Sequence, residues 1–511
     1  MGIAADVFDP NCCSEPPAQA LQRTLQDGAW DVIGFSTTGM TLRFDLQLAH
    51  AARRNCPHAL IVAGGMEATF NPELLFRIGP FDLIVLGEGE KPLLEIANRL
   101  RAGQTLQGIS GTAERTPLGM VNRHPQRALS REELRESIFR TPYEEMPYRA
   151  YWDKLEQAYR VGDLPHKARR EAFLAEIRSV RLITLNYCPL GCTFCSATNF
   201  LNEAQGGMAK IARLDADECI KMIRRITSAL PEVRSIIFQD DIFVFTKDPR
   251  IFPLCEAILK GKARGDIPEH LQFISTNRID AMDPDRLQAM RRAGFRVLGF
   301  GVESFSLRIL EEFNKPRIFP YINPILEEAL RLGITPFLDL ILTSPRCNLQ
   351  DFAETIRAAY RWVNAGCELG MYPYVIPFSG AAMARDPNLA PHTQFVTHSV
   401  EGTAVEWRQP SKILPIDSTT RHAILSVEQE FEQWMRFLQP IAKHLPSRLR
   451  SLVWILCAAS ILSEAGEEAP DRSEVLERLV TRLPGLDSEM VNRIWEFDAA
   501  MRSGARVYAG A

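Results

Sequence analysis

Excess charge of one sign is what this sequence lacks. Its 59 basic residues are nearly matched by 63 acidic ones, leaving a formal net charge of -4, so no global field draws the protein to nucleic acid. Bilayer-length apolar runs are missing as well. The apolar stretch Leu452 to Leu462, broken only by Ser460, falls well short of the roughly 20 residues that cross a membrane. A buried helix is the expectation there, with an interfacial anchor as the alternative. No basic segment leads into an apolar core at the start, where Asp6 and Asp9 already stand; a cytoplasmic protein is expected. Histidine is sparse, nine residues with no i,i+3 or i,i+4 pair, which points to surface or core histidines rather than a helix-borne metal pair. Repeats and low-complexity tracts are absent. With 46% hydrophobic and 24% charged residues, long disorder is excluded. Eleven cysteines in such a chain read as reduced thiols or metal ligands rather than disulfide partners.

What is present is rhythm. At 511 residues the chain has room for about three or four domains. Strand patterns at Ile3 to Phe8, Val32 to Ser36, Ala59 to Ala63 and Leu83 to Gly87 alternate with helical patterns at Ala18 to Gln26, Leu42 to Arg53 and Pro92 to Arg101. This βαβ order predicts an α/β domain with an open parallel, Rossmann-like sheet over 1–105. Three of its strands end in glycine-containing turns, the places where such sheets bind ligands: Gly34 to Gly39, Gly64 to Thr69 and Gly87 to Glu90. Tight strand-to-helix turns alone would use the same glycines. The rhythm lapses over 106–175, read as a linker with some helix near Ala168 to Arg178, and returns from Val180 as six βα units. A partial (β/α)6 barrel over 176–390 is expected, with a second sheet as the alternative. Beyond it, 391–511 reads as a helical region.

The chemistry concentrates in Cys188-Pro189-Leu190-Gly191-Cys192-Thr193-Phe194-Cys195, directly after the first barrel strand. Pro189 and Gly191 disfavour a regular helix, so the segment is predicted to be a loop presenting three thiolates to one centre. A closed zinc site needs four protein ligands, and the next cysteine, Cys219, falls inside a predicted helix. An iron–sulfur cluster held by three thiolates would leave one iron open to another ligand. An open iron implies catalysis.

This CX3CX2C segment resembles the signature of the radical S-adenosylmethionine (SAM) enzymes. The resemblance implies a [4Fe-4S] cluster on Cys188, Cys192 and Cys195, with SAM on the remaining iron and Phe194 beside it. It also implies SAM contacts from Asp240 and Asp241 after the second barrel strand, Arg278 after the third, and Glu303 and Ser304 after the fourth. Two segments bear on the same cavity. Leu342 to Arg346 departs from the family's glycine-rich turn near adenine, and Pro377 to Gly380 is similar to a family loop beside the substrate. The first domain is similar to the cobalamin-binding domain of the class B (cobalamin-dependent) members. That implies cobalamin contacts at Ser36, Thr37, Thr38, Gly64, Gly65, Gly87, Glu88 and Gly89. No Asp-x-His-x-x-Gly occurs near the start, so a histidine ligand to cobalt is not indicated, and the chain opens at what resembles the family's second strand. A radical methylthiotransferase would place three cluster cysteines in its first domain, where only Cys12, Cys13 and Cys56 stand here.

The resemblance therefore implies a cobalamin-dependent radical SAM methyltransferase acting on carbon of a small or medium organic molecule. An electron donor such as flavodoxin or ferredoxin is implied as partner. Nucleic acid is not expected, and a membrane role is disfavoured. A non-methylating relative, an oxidative cyclase or ring-rearranging enzyme, is the alternative. A cluster or cobalamin sensor is disfavoured by the acids Asp240, Asp241 and Glu303, since a sensor need not hold SAM.

Overall fold

The computed structural model describes residues 3–502 apart from 14, 27, 160, 162–166, 247, 440–446 and 484–485. The chain divides into two compact units, one of Met1–Phe243, Pro253–Gln272 and Ile376–Ser411, the other of Val244–Phe252, Phe273–Val375 and Lys412–Ala511.

In the first unit a five-stranded sheet has the spatial order β1 (Val32–Ser36), β2 (Leu60–Gly64), β3 (Leu83–Val85), β4 (Thr112–Arg115), β5 (Val121–His124). The first three strands are parallel and the last two antiparallel. The crossover helix Leu42–Asn55 forms because its apolar residues recur at helical spacing: Leu42, Leu46, Ala49 and Ala52 are all buried. They share a core with Ile61, Ala63 and Ile84 of the sheet.

Two stretches differ from expectation. Ile3 to Phe8 forms no strand; Ile3 and Val7 are 41% and 66% exposed, because no neighbouring strand offers them a ladder, and only Phe8 packs against the core. The stretch 106–175, read as a linker, contributes β4 and β5 to the sheet and the helices Arg131–Phe139, Tyr148–Ala158 and Lys167–Ile177. Both hairpin strands are four residues long and largely polar, so hydrophobic periodicity had little to register.

The same unit carries β6 (Ser179–Leu182) and β7 (Ser235–Phe238), paired in parallel. β8 (Gln272–Asn277), β9 (Phe295–Glu303), β10 (Thr335–Ile341) and β11 (Glu368–Tyr372) follow, each parallel to the next. The six βα units of the expected partial barrel are all present. Capping reinforces their helices. Asp215 and Glu218 form a reciprocal box at the start of Ala216–Ala229, and Gly294 closes Pro284–Ala293 in the left-handed conformation at φ 112°.

Beyond the barrel, a hairpin of β12 (Thr393–Ser399) and β13 (Glu406–Ile413) interrupts the expected helical region. Trp407 and Val400 bury into the core of the first unit's sheet, and the Gln409 side-chain amide donates to the Gly39 carbonyl. Most of β12 is solvent-facing, which is why its pattern was faint.

The second unit ends in the helices Ser418–Leu438, Ser447–Glu464, Arg472–Arg482 and Ser488–Arg502. Ser447–Glu464 is buried nearly all round, with Ser451 donating to the Leu369 carbonyl of β11 at 2.9 Å. The apolar stretch is thus a core helix. No helix of the described residues is long and apolar enough to cross a membrane. Arg472 ties these helices together through Glu430 at 2.7 Å and Asp498 at 2.6 Å, the three side chains being 10%, 14% and 3% exposed. Removing Arg472 leaves the buried Glu430 without its cation and Asp498 with only Arg502 at 3.1 Å, so Arg472→Met should lose about 3–5 kcal/mol. A thermal or urea unfolding curve little changed from wild type would contradict this.

Candidate functional site

The cysteine loop starts where β6 stops, and its departure is set by one carboxylate. Asp240, just past β7 and 3% exposed, accepts through Oδ1 from the Thr184 and Leu185 amides at 2.6 and 2.9 Å. Its Oδ2 accepts from the Thr184 hydroxyl. Asp240 thus holds the strand end; the sequence reading had given it to SAM. Its neighbour Asp241 is solvent-exposed, and its charge is felt at the Cys188 thiol.

Within the loop, Gly191 at φ 64° makes the turn while its amide donates to Thr198 Oγ1 at 3.0 Å. The Cys195 amide donates to the Cys192 carbonyl at 3.1 Å, and the Ala197 amide points at Cys195 Sγ at 3.4 Å. Cys188 is buried and Cys192 and Cys195 half-buried, as is Phe194. Burial pushes the Cys188 thiol up to about 11, with smaller contributions from Asp241, Cys195 and Cys192, so the three sulfurs sense one another. Such thiols become thiolates when a metal takes the proton's place. Among the described residues no three Cys, His, Asp or Glu side chains are drawn onto a single point, as a lone zinc ion requires. A cubane asks for less convergence, because each thiolate bonds a different iron; the donor set fits it.

The turns of the first sheet divide by role. Thr37 is fully buried; its hydroxyl donates to the Gly64 carbonyl at 2.9 Å and accepts from the Ala68 amide at 3.2 Å, tying two turns together. Gly65 sits at φ 93°, where a Cβ would stand 2.7 Å from the Thr37 carbonyl. Ser36 is exposed, and Thr38, Gly64, Gly65 and Gly89 are partly so, leaving a rim of small groups and backbone that suits a large flat ligand. Glu88 is engaged inside the protein, accepting from the Leu129 amide at 2.6 Å and the Asn186 side chain at 3.3 Å. Glu67, which the sequence reading did not assign, is 4% exposed. It accepts from Asn71 at 2.6 Å and from Ser379 of the Pro377 to Gly380 loop at 3.0 Å.

In the second unit, Glu303 ends β9 at φ 63°, a costly backbone for a side-chain-bearing residue that recurs at functional sites. Its carboxylate turns back over Gly301, where a Cβ would come within 2.6 Å of it, to meet the Lys315 ammonium at 2.8 Å. Lys315 also donates to the Gly301 carbonyl at 2.7 Å. Asp339 of β10 pairs in register with Gly301 on one side and Gly370 on the other. This half-buried acid is flanked by residues without side chains, and a Cβ at Gly370 would stand 3.0 Å from its Oδ1. Burial first, then the Glu303 charge, raises its carboxyl from 3.8 to about 6. The sequence reading missed Asp339, although a lone acid in Thr335-Pro-Phe-Leu-Asp-Leu-Ile was a signal. Of the remaining candidates, Arg278 is paired with Asp280 at 2.7 and 2.8 Å, and Ser304 is fully buried against Thr355 at 2.8 Å. The Asn277 side-chain oxygen is buried with no hydrogen-bond partner.

Comparison with known proteins agrees with this layout. The radical SAM superfamily model matches residues 182–359 and the B12 binding domain model residues 4–97. The uncharacterized methyltransferase PH0819 of Pyrococcus horikoshii is 24% identical over 333 residues, and the match spans 64% of each chain. Among solved structures, the cobalamin-dependent SAM radical enzyme OxsB with aqua-cobalamin and SAM bound aligns at TM-score 0.60 and 16% identity, covering 95% of this chain and 74% of that one. The radical SAM methyltransferase TsrM from Kitasatospora setae with cobalamin and a [4Fe-4S] cluster bound aligns at TM-score 0.57 and 13% identity, covering 88% and 91%.

Two measurements test the site. Replacing Cys188, Cys192 and Cys195 together by alanine should abolish the roughly four irons that reconstituted protein binds; unchanged iron and sulfide would refute the assignment. For Asp339, the folded state binds the proton more tightly than the unfolded chain, so its ionisation lowers stability as pH rises from about 4 to about 6. In cofactor-free protein the melting temperature of wild type should fall relative to Asp339→Asn across that window and hold a constant gap above it. A gap that does not widen would contradict the raised pKa.

Proposed function

We propose that this chain, which belongs to the cobalamin-dependent (class B) radical SAM enzymes, is a methyltransferase acting on carbon of a small or medium organic substrate. One observation carries the reading: a cobalamin-binding domain and a radical SAM domain occur on one chain. The names of PH0819 and TsrM as methyltransferases lend support. Bound together, the cluster and SAM supply a 5'-deoxyadenosyl radical, and cobalamin carries a methyl group.

The chain's residues supply binding and exclusion. Cys188, Cys192 and Cys195 hold the cluster, leaving one iron for SAM. Asp241, in the same unit as the cysteines, offers carboxylate oxygens suited to the ammonium and hydroxyl groups of SAM. In the second unit, Lys315 holds the Glu303 carboxylate in place at 2.8 Å. Ser36, Thr38, Gly64, Gly65 and Gly89 meet cobalamin. An exogenous donor such as flavodoxin or ferredoxin delivers the electron.

Methyl transfer and a non-methylating cyclisation or rearrangement make different by-products. Methyl transfer should yield S-adenosylhomocysteine together with 5'-deoxyadenosine and methionine. With SAM deuterated in its methyl group and candidate substrates under anaerobic, reducing conditions, the product should carry the label. A product that accumulates with 5'-deoxyadenosine yet never gains deuterium would exclude methylation and establish the alternative.

A further inference from the structure

The Gly87-Glu88-Gly89 turn lies at the end of β3, where ligands of such sheets bind, yet Glu88 reaches the other way. Its two carboxylate oxygens are divided between two segments: Oε2 accepts from the Leu129 amide at 2.6 Å and Oε1 from the Asn186 side-chain amide at 3.3 Å. Asn186 stands two residues before Cys188. Its side-chain Oδ1 accepts from the Ala212 amide at 2.8 Å, so both ends of its side chain are fixed, and its backbone amide donates to the Ala212 carbonyl at 3.2 Å.

The same joint is closed by contacts around it. The Gln126 side-chain amide donates to the Glu88 carbonyl at 3.0 Å, while its backbone amide donates to the Ala204 carbonyl at 3.2 Å. Gly87, at φ 67°, lies so close to the helix Ala197–Gln205 that a Cβ would come within 2.6 Å of the Ala204 methyl. The Gly87 amide is held in turn by Thr69 Oγ1 at 2.9 Å. The turn is therefore wedged against the cysteine loop on both flanks, Asn186 before it and Ala204 in the helix after it.

We propose that Glu88 is a positioning residue that couples the cobalamin-side turn to the cluster loop, fixing the separation of the two cofactors, and that it does not contact cobalamin. A carboxylate suits this task because one planar group accepts from two donors at once. An amide at the same place offers a single acceptor oxygen. The inference rests on the presence of both cofactors in the chain and is independent of methyl transfer.

The test needs no substrate. Full-length protein is loaded with the cluster and cobalamin, both are brought to their paramagnetic states, and the dipolar coupling between them is read by pulsed electron paramagnetic resonance, alongside iron and cobalamin content. Wild type should show one narrow separation. Glu88→Ala and Asn186→Ala should each keep iron and cobalamin at wild-type levels but lose the narrow separation, with Glu88→Gln intermediate. Asn186→Ala decides the matter if Glu88→Ala does not accumulate as folded protein. A narrow separation retained in Asn186→Ala would overturn the proposal. So would loss of cobalamin from Glu88→Ala alone, which would make Glu88 a direct cobalamin contact.

Discussion

The geometry of the cysteine loop depends on a carboxylate that lies outside it. At the end of a parallel strand the chain leaves its ladder and the next amides lose their partners. Left buried and unsatisfied, each would cost about 1–3 kcal/mol. Asp240 answers two of them and the Thr184 hydroxyl as well, so the backbone after β6 has one direction of exit. Three residues past the last clamped amide, Cys188 begins the loop. A side chain just past one strand thus sets where the loop of its neighbour starts, and every thiol position inherits that choice.

Glycine in a strand interior weakens it and marks close approach, and β9 shows what the weakness is for. Gly299 and Gly301 leave the sheet bare where Asp339 and the folded-back Glu303 lie. The ladder slips between Asp339 and Leu340, so that Gly301 and Glu303 become successive partners of β10. That bulge and the left-handed φ of Glu303 re-aim one carboxylate. The buried Lys315 compensates its charge, while Asp339 beside it is raised by burial and by the Glu303 charge.

Much of this was legible in the residues. The six barrel strands, the crossover helices and the cysteine spacing rest on period and motif, which are local properties. The hairpin β4–β5 was not legible because its strands are short and largely polar, and the hairpin β12–β13 because most of β12 faces solvent; both draw stability from a core assembled by distant segments, as Trp407 does. Ile3 to Phe8 failed in the opposite sense. It has the local pattern of a strand, but a strand exists only with a neighbour to pair with.

The candidate site divides along the same line. Sequence position shows which acids stand at strand ends. It does not show whether an acid is engaged by the protein or offered to a ligand, because that depends on which donors the fold brings within about 3 Å. Asp240, Glu67 and Glu88 have their oxygens taken by Thr184, Leu185, Ser379, Asn71, Leu129 and Asn186. Asp241 remains in solvent reach, and Asp339 remains between two glycines. Acids of the first kind build the frame, and acids of the second kind are the ones left for a ligand. Exchanging one for the other would leave composition unchanged and the site disabled, since the frame needs acceptors already matched to donors and the ligand needs acceptors still unmatched.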